Sequence, residues 1–473
     1  MASPPALKRG IRFRDLVLFY VVVSFSVRWT ANAAAAGPSI LVIWIAALLC
    51  FFVPLAASVM ELSSRYPQEG GIYIWTREAF GDFSGFLTAW TYWMSNLPAF
   101  PGMLYFGAAS ALRAFGPRAQ LLSATPGYYL VFAIFWLAVI TLLNIRGTNA
   151  GKWLNNVASL GTIVPITVLL VLGAVSYARF GPATRFTAAS LQPHWSLGNA
   201  VFWSSVFFAF GGIEAASAMG DEIQNPRRNI PWAILIGGAI LAIGYIGGTL
   251  ALLAALPPQA VTGPEGFING IRGLTAHLGL GWLLAPVALL AALNSVGGSA
   301  ANLSSTARLP FVAGIDHYLP PAFGWIHPRF HTPWVAIAVY GGAGMLMALL
   351  SQAGTTVNGA YNVLVSMTVL AAFLPYAMLF AALIRAQFKP AGPQVRRVPG
   401  GKPVAILLGC LGILSAVTAI VLSTIPAADE PNKALVVLKV VGGTGALIAG
   451  GAAVFLFSLW KTRDERRQVL TRS

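Results

Sequence analysis

"VFWSSVFFAFGGIEAASAMGDEIQNPRRNIP", residues Val201 to Pro231, decides how this chain is built. From Val201 to Phe210 only Ser204 and Ser205 are polar, as in half of a membrane helix. Gly211 and Gly212 then interrupt it, and a glycine pair is one of the few identifiable causes of a broken helix. Glu214 follows at membrane depth, where an isolated carboxylate costs several kcal/mol unless it is paired, protonated or wet. A break there frees backbone amides and carbonyls, which are tolerated only against protein or a water-filled cavity. The stretch therefore predicts a binding site as well as a span. It ends on a turn signal, Asn225-Pro226, with Arg227 and Arg228 anchoring the following loop at the inner surface.

The rest of the chain is of the same kind. It has 473 residues, 57% hydrophobic and 9% charged, which excludes an ordinary soluble domain. Apolar stretches long enough to cross ~30 Å of hydrocarbon recur throughout, so an all-α polytopic membrane protein is expected rather than a barrel. Twelve spans are predicted near 15–36, 38–64, 81–113, 127–145, 153–177, 196–219, 231–256, 279–309, 332–352, 358–386, 403–424 and 435–460. The first lacks a small-residue cleavage site after it and reads as a retained helix. The net charge of +16 is distributed in small clusters at the ends of spans, which argues for membrane topology and against nucleic acid. With the amino terminus in the cytoplasm, 22 of the 30 Lys and Arg fall on that side, so both termini are expected there, in a plasma or inner membrane. Cys50 and Cys410 lie within apolar runs and read as packing residues. The five histidines fall in predicted loops without metal spacing, and no catalytic motif is visible, so an enzyme is not expected.

In transporters with inverted repeats, a broken helix in one half has a counterpart in the other, with substrate held between them. If spans one to five repeat as six to ten, the partner of span six is span one. That span contains "SFSVRWTANAAAAG", Ser24 to Gly37, and places Arg28 inside the membrane. One reading has Arg28 face the central cavity, holding a substrate carboxylate or pairing with Glu214. The other has it snorkel to the surface or form a structural pair away from substrate. Glu214 is likewise either a protonatable gate or a cap on freed backbone, and Asn96, before Pro98 and Pro101 in span three, faces substrate or ties helices together.

Span six and its loop resemble the amino acid–polyamine–organocation superfamily of permeases: an aromatic, a glycine break, a glutamate and an "NP-R-R-x-IP" segment. "ELSSRYPQEGGIYIWTREAFG" (Glu61 to Gly81), "STARLPFVAGIDHYLP" (Ser305 to Pro320) and "FLPYAMLFAALIR" (Phe373 to Arg385) are similar to further segments of that family. The resemblance implies a five-plus-five inverted-repeat core of leucine-transporter type, with alternating access around a central site. It divides the chain into a cytoplasmic tail 1–14, a core 15–386 with halves 15–177 and 196–386, a basic loop 387–402, two further helices in 403–460 and a basic tail 461–473. It makes Phe208 an aromatic gate, Glu214 a gating and pH-responsive group, and Asn96 and Ser366 substrate neighbours. Gly211 and Gly212 would face the substrate across from the segment equivalent to the family's Gly-Ser-Gly. That segment is "VSF", Val23 to Phe25, which nominates Ser24, Phe25 and Ser26 and contains no glycine.

The function implied is secondary transport of amino acids or related small amines, ion-coupled or by exchange. A polyamine or organic-cation carrier and a transport-deficient sensor of the same fold are the alternatives. No cofactor is expected; the coupling ion is H+ or Na+. Ser304 and Ser305 are the candidate sodium ligands, with bonding to the preceding helical turn as the plainer account. Span five carries Thr162, and no lysine, at the place where some family members have a proton-handling lysine. The partners implied are a small-molecule substrate and the lipid bilayer; oligomeric state and accessory subunits stay open.

Overall fold

A computed structural model describes residues 10–470 except 69, 117, 195, 262–264, 311–317, 353–356 and 427–431. Most of the predicted tail 1–14 and His317 lie outside the described residues. Helices dominate, and among the described residues there is no strand, only an isolated parallel bridge between Ile11 and Ile223.

Span one is two helices, α1 (Phe13–Ser24) and α2 (Arg28–Ala34), bent by 40° at the intervening residues. Then come α3 (Ile40–Arg65), α4 (Ile72–Phe80), α5 (Asp82–Ala114), α6 (Pro126–Arg146) and α7 (Thr148–Phe180). In the second half α8 (Leu197–Ala209) stops at the glycine pair and continues as a 3-10 helix, Ala215–Glu222. After it lie α9 (Pro226–Ala255), α10 (Gly266–His277), α11 (Leu284–Thr306), α12 (Trp334–Gln352) and α13 (Val357–Ala386). The chain ends with α14 (Gly401–Ser423) and α15 (Gly443–Leu470).

Among the described residues nine helical segments are long and apolar enough to cross a membrane, and the bent pair α1–α2 makes a tenth, so the chain is an integral membrane protein. Two predicted spans, 81–113 and 196–219, are helical but not among these. With 33 residues α5 is about 50 Å long, but it buries Thr88, Thr91 and Ser95; α8 has only 13 residues before its break. The first has exchanged lipid-compatible composition for inward polar groups, and the second is cut short by the glycine pair.

Burial separates core from periphery. The α13 segment Gly359–Ala386 is 72% buried, against 33% for Gly401–Ser423 and 22% for Lys433–Lys461. The peripheral α14 nevertheless packs closely, with Gly412 set against the ring of Phe380 where a side chain would collide. It also serves a defect in α3. Leu48–Phe52 is a π turn, which disrupts the regular ladder, and Ser415 of α14 donates to the Cys50 carbonyl at 2.7 Å.

The basic loop after α13 is pinned to the end of α3. Glu61, fully buried, accepts from Arg65 Nη2 at 3.2 Å, Gln387 Nε2 at 2.9 Å and the Val398 N–H at 2.9 Å. Arg65 Nη1 donates to the Pro390 carbonyl at 2.9 Å, and Ser64 Oγ accepts from the Arg396 N–H at 2.9 Å. Removing one partner of such a buried pair strands the other's charge. Glu61→Ala is therefore expected to cost roughly 3–5 kcal/mol, read as a lowered thermal unfolding midpoint of the purified protein.

Candidate functional site

The two breaks meet. Gly212 adopts φ +100°, which favours glycine, and a Cβ on it would lie 2.9 Å from Ser24 Oγ and 3.2 Å from Ser24 Cα. The glycine therefore does two jobs: it turns the chain, and it lets the second broken helix touch the end of α1.

At the first break, Phe25 leaves the helix in an extended conformation and α2 begins at Arg28. Tyr245 of α9 spans the gap. Its hydroxyl donates to the Ser24 carbonyl at 2.7 Å and accepts from the Ser26 N–H at 3.2 Å. A side chain thus supplies bonds that helical neighbours would otherwise provide.

At the second break the organising group is Glu214, 2% exposed. Its Oε1 accepts from the Tyr92 hydroxyl at 2.7 Å and the Tyr376 hydroxyl at 2.9 Å. Its Oε2 accepts from the Gly212 N–H at 3.0 Å, and the same N–H lies 3.1 Å from the Tyr376 oxygen. One carboxylate therefore caps the broken helix and ties it to α5 and α13. Three neutral donors, rather than a cation, satisfy it.

Arg28 is buried at 6% exposure, so it does not snorkel to a surface. Among the described residues it forms no ion pair with Glu214. Its guanidinium lies 4.5 Å from the centroid of the Trp29 ring, and Nε and Nη1 have no hydrogen-bond partner.

These groups line one cavity of about 60 Å³, room for a few waters and less than the ~300–1,000 Å³ of a typical ligand pocket. Of the residues nominated from sequence, Ser24, Ser26, Arg28, Asn96, Phe208, Gly211, Gly212 and Glu214 all lie in its wall. Phe208 meets Trp29 edge to face at 5.7 Å, so an aromatic from each broken helix closes the cavity. Asn96 donates back to the Tyr92 carbonyl at 2.9 Å, within its own helix.

Phe25 and Ser366 are placed elsewhere. Phe25 turns away and stacks on Tyr245 at 4.6 Å, because the extended residue points its ring toward α9. Ser366 is half-buried on α13 and does not line the cavity. Sequence reasoning missed Tyr92, Tyr376, Trp29 and Asn302 as lining residues. A signal existed for Tyr92, which precedes Asn96 by one helical turn and shares its face.

Ser304 and Ser305 do not fit a sodium ion in this arrangement. Arg308 Nη1 donates to the Ser304 carbonyl and lies 3.2 Å from its hydroxyl, while Ser305 Oγ donates to the Asn302 carbonyl at 3.1 Å. A guanidinium against one candidate ligand repels a cation, and the plainer reading of Ser305, bonding to its own helix, is the geometry seen. The side chains of Asp221 and Glu222, at the end of the 3-10 helix after the second break, are outside the described residues; Arg65 pairs with Glu61.

A membrane protein with two helices broken at one buried polar cavity is built as a permease, and comparison with known proteins names the kind. Residues 13–446 match the amino acid permease family, and the chain belongs to it. An uncharacterized transporter of Legionella pneumophila is 30% identical over 97% of this chain and 98% of its own. A probable agmatine/putrescine antiporter of Lactococcus lactis is 23% identical over 87% of each chain. The serine/threonine exchanger of Bacillus subtilis is 26% identical over 62% of this chain and 65% of its own.

The contact of the two breaks is testable. Gly212→Ala forces a side chain into a positive-φ conformation and against Ser24, and should cost roughly 1–3 kcal/mol of stability. A lowered unfolding midpoint with a parallel loss of solute binding is the expected result.

Proposed function

We propose that this chain is a secondary active permease for amino acids or related small amines. It would work by alternating access in a twelve-helix architecture whose halves, 15–177 and 196–386, form a five-plus-five inverted repeat. In this reading α14 and α15 are the two additional helices and both termini face the cytoplasm. The observation that carries it is the meeting of two broken helices at a cavity walled by Arg28 and Glu214. Broken helices in corresponding positions of two halves are how such carriers expose backbone and charge to a solute at mid-membrane.

Both approaches to the cavity are crossed by contacts that would have to part. On the side of α4, the Gly70 N–H donates to the Ala218 carbonyl at 3.3 Å, and the Gln224 N–H donates to the Ile11 carbonyl at 2.9 Å. On the other side, Arg113 pairs with Glu265, which stands just before α10, and α10 packs on α2. Alternating access in this protein is then the exchange of one set of contacts for the other, with the narrow cavity between them.

Of the two coupling ions, the geometry favours the proton. Glu214 is a cavity carboxylate held by three neutral donors, and gaining a proton there would release Tyr92, Tyr376 or Gly212. The serines considered for sodium are engaged by Arg308 and Asn302. The names of the Lactococcus and Bacillus relatives support amine-bearing solutes in general, including amino acids and polyamines.

Reconstituted protein in proteoliposomes should accumulate or exchange a labelled amino acid or amine. Glu214→Gln should lower the rate at least tenfold, since an amide cannot accept from all three donors, and flatten its pH dependence. Replacing sodium by potassium should leave the rate unchanged. Ligand binding without uptake or exchange across a broad panel would instead identify a sensor.

A further inference from the structure

We propose that Arg28 and Tyr361 form a carboxylate-recognition pocket, so that the permease accepts solutes carrying a carboxylate beside their amine and rejects the corresponding decarboxylated amines. This inference rests on the transport reading above and narrows its substrate class.

The first observation is an unsatisfied guanidinium. Arg28 is nine-tenths buried, it lies in the cavity wall, and two of its three nitrogens have no partner. Buried charges are ordinarily paired, and the cost of leaving one unpaired is large. The Trp29 ring covers one face of the guanidinium but accepts no conventional hydrogen bond from Nε or Nη1. Glu214, the acidic residue of the same wall, is committed to Tyr92, Tyr376 and Gly212.

The second observation is a hydroxyl with the same deficit. Tyr361 of α13 lies beside the guanidinium and outside the cavity lining, is 2% exposed, and its hydroxyl proton has no acceptor. Two unsatisfied donor groups from different helices, α2 and α13, converge on one region. Gly102 of α5 faces the same region without a side chain, since a Cβ there would contact Arg28 Nη1 at 3.6 Å and Leu364 at 3.7 Å. A group bearing several acceptor oxygens and a negative charge would satisfy both donors, and guanidinium suits a carboxylate by its planar, multiply donating form.

The third observation concerns the backbone. Two of the amides at the breaks are already engaged, the Ser26 N–H by Tyr245 and the Gly212 N–H by Glu214 and Tyr376, so the guanidinium supplies donors where these do not. A polyamine offers nothing to Arg28 and is repelled by it. A zwitterion presents its carboxylate to Arg28 and Tyr361 and its ammonium to the remaining acceptor capacity of the wall.

The test compares solutes that differ only by the carboxylate: arginine with agmatine, ornithine with putrescine, serine with ethanolamine. Binding by thermal shift and uptake into proteoliposomes are both read for the full-length protein. The carboxylated member of at least one pair should be preferred at least tenfold. Arg28→Met, which removes the buried charge at similar length, should unfold no lower than wild type and bring that preference close to one. Tyr361→Phe should reduce it severalfold.

Equal or better handling of the amine by wild type, or a preference that survives Arg28→Met, overturns the pocket and leaves the transport reading intact. Amine uptake that requires chloride overturns it too, because an inorganic anion would then occupy Arg28. Uptake of neither member of any pair overturns the transport reading, and this inference falls with it.

Discussion

The carboxylate of Glu214 is the constraint on which the centre of this protein depends. A helix broken inside a membrane has backbone donors and acceptors that lipid cannot satisfy. Here one side chain satisfies the Gly212 amide and is itself satisfied by hydroxyls from α5 and α13. Three elements distant in sequence are fixed to one another by a group that would be unstable there alone. The cavity exists beside this knot because the chain cannot fill the space next to a broken helix with further helix.

The two breaks reach the same end by different chemistry. The second uses glycines, one of which takes a conformation that other residues avoid. The first has no glycine and relies on Tyr245, whose hydroxyl bridges the Ser24 carbonyl and the Ser26 amide. Tyr245 is in turn held by stacked rings, Phe25 on one contact and Trp44 on another, at 4.6 and 4.8 Å. Unwinding at Ser24 is therefore supported by aromatic packing rather than by backbone freedom.

Much of this was legible in the sequence, for reasons that also mark where reading stops. Glycine pairs and intramembrane charges are local signals, so the break at Gly211-Gly212 and the place of Glu214 and Arg28 beside it could be read directly. The helices at 81–113 and 196–219 were also readable, although polar residues in the first and the early break in the second remove them from the long apolar helices. Orientation about a helix axis is a tertiary property. That is why Phe25, one residue from the cavity-lining Ser24 and Ser26, packs outward, and why Ser366 lies off the cavity. Tyr92 and Tyr376 escaped notice because an aromatic in a membrane helix ordinarily signifies packing, and only the carboxylate between them shows otherwise. Ser304 and Ser305 offered suitable oxygens on paper, but Arg308 four residues on claims those of Ser304.

The π turn in α3 has a mechanical consequence. Its Cys50 carbonyl receives a proton donor from Ser415, so sliding α3 along α14 would strand a polar group in an apolar layer. The bond ties α14, although mostly at the edge, to the irregular turn of α3. Cys410 is exposed on that helix. A spectroscopic probe attached there would report on the contact of α14 with α3 from the periphery of the bundle.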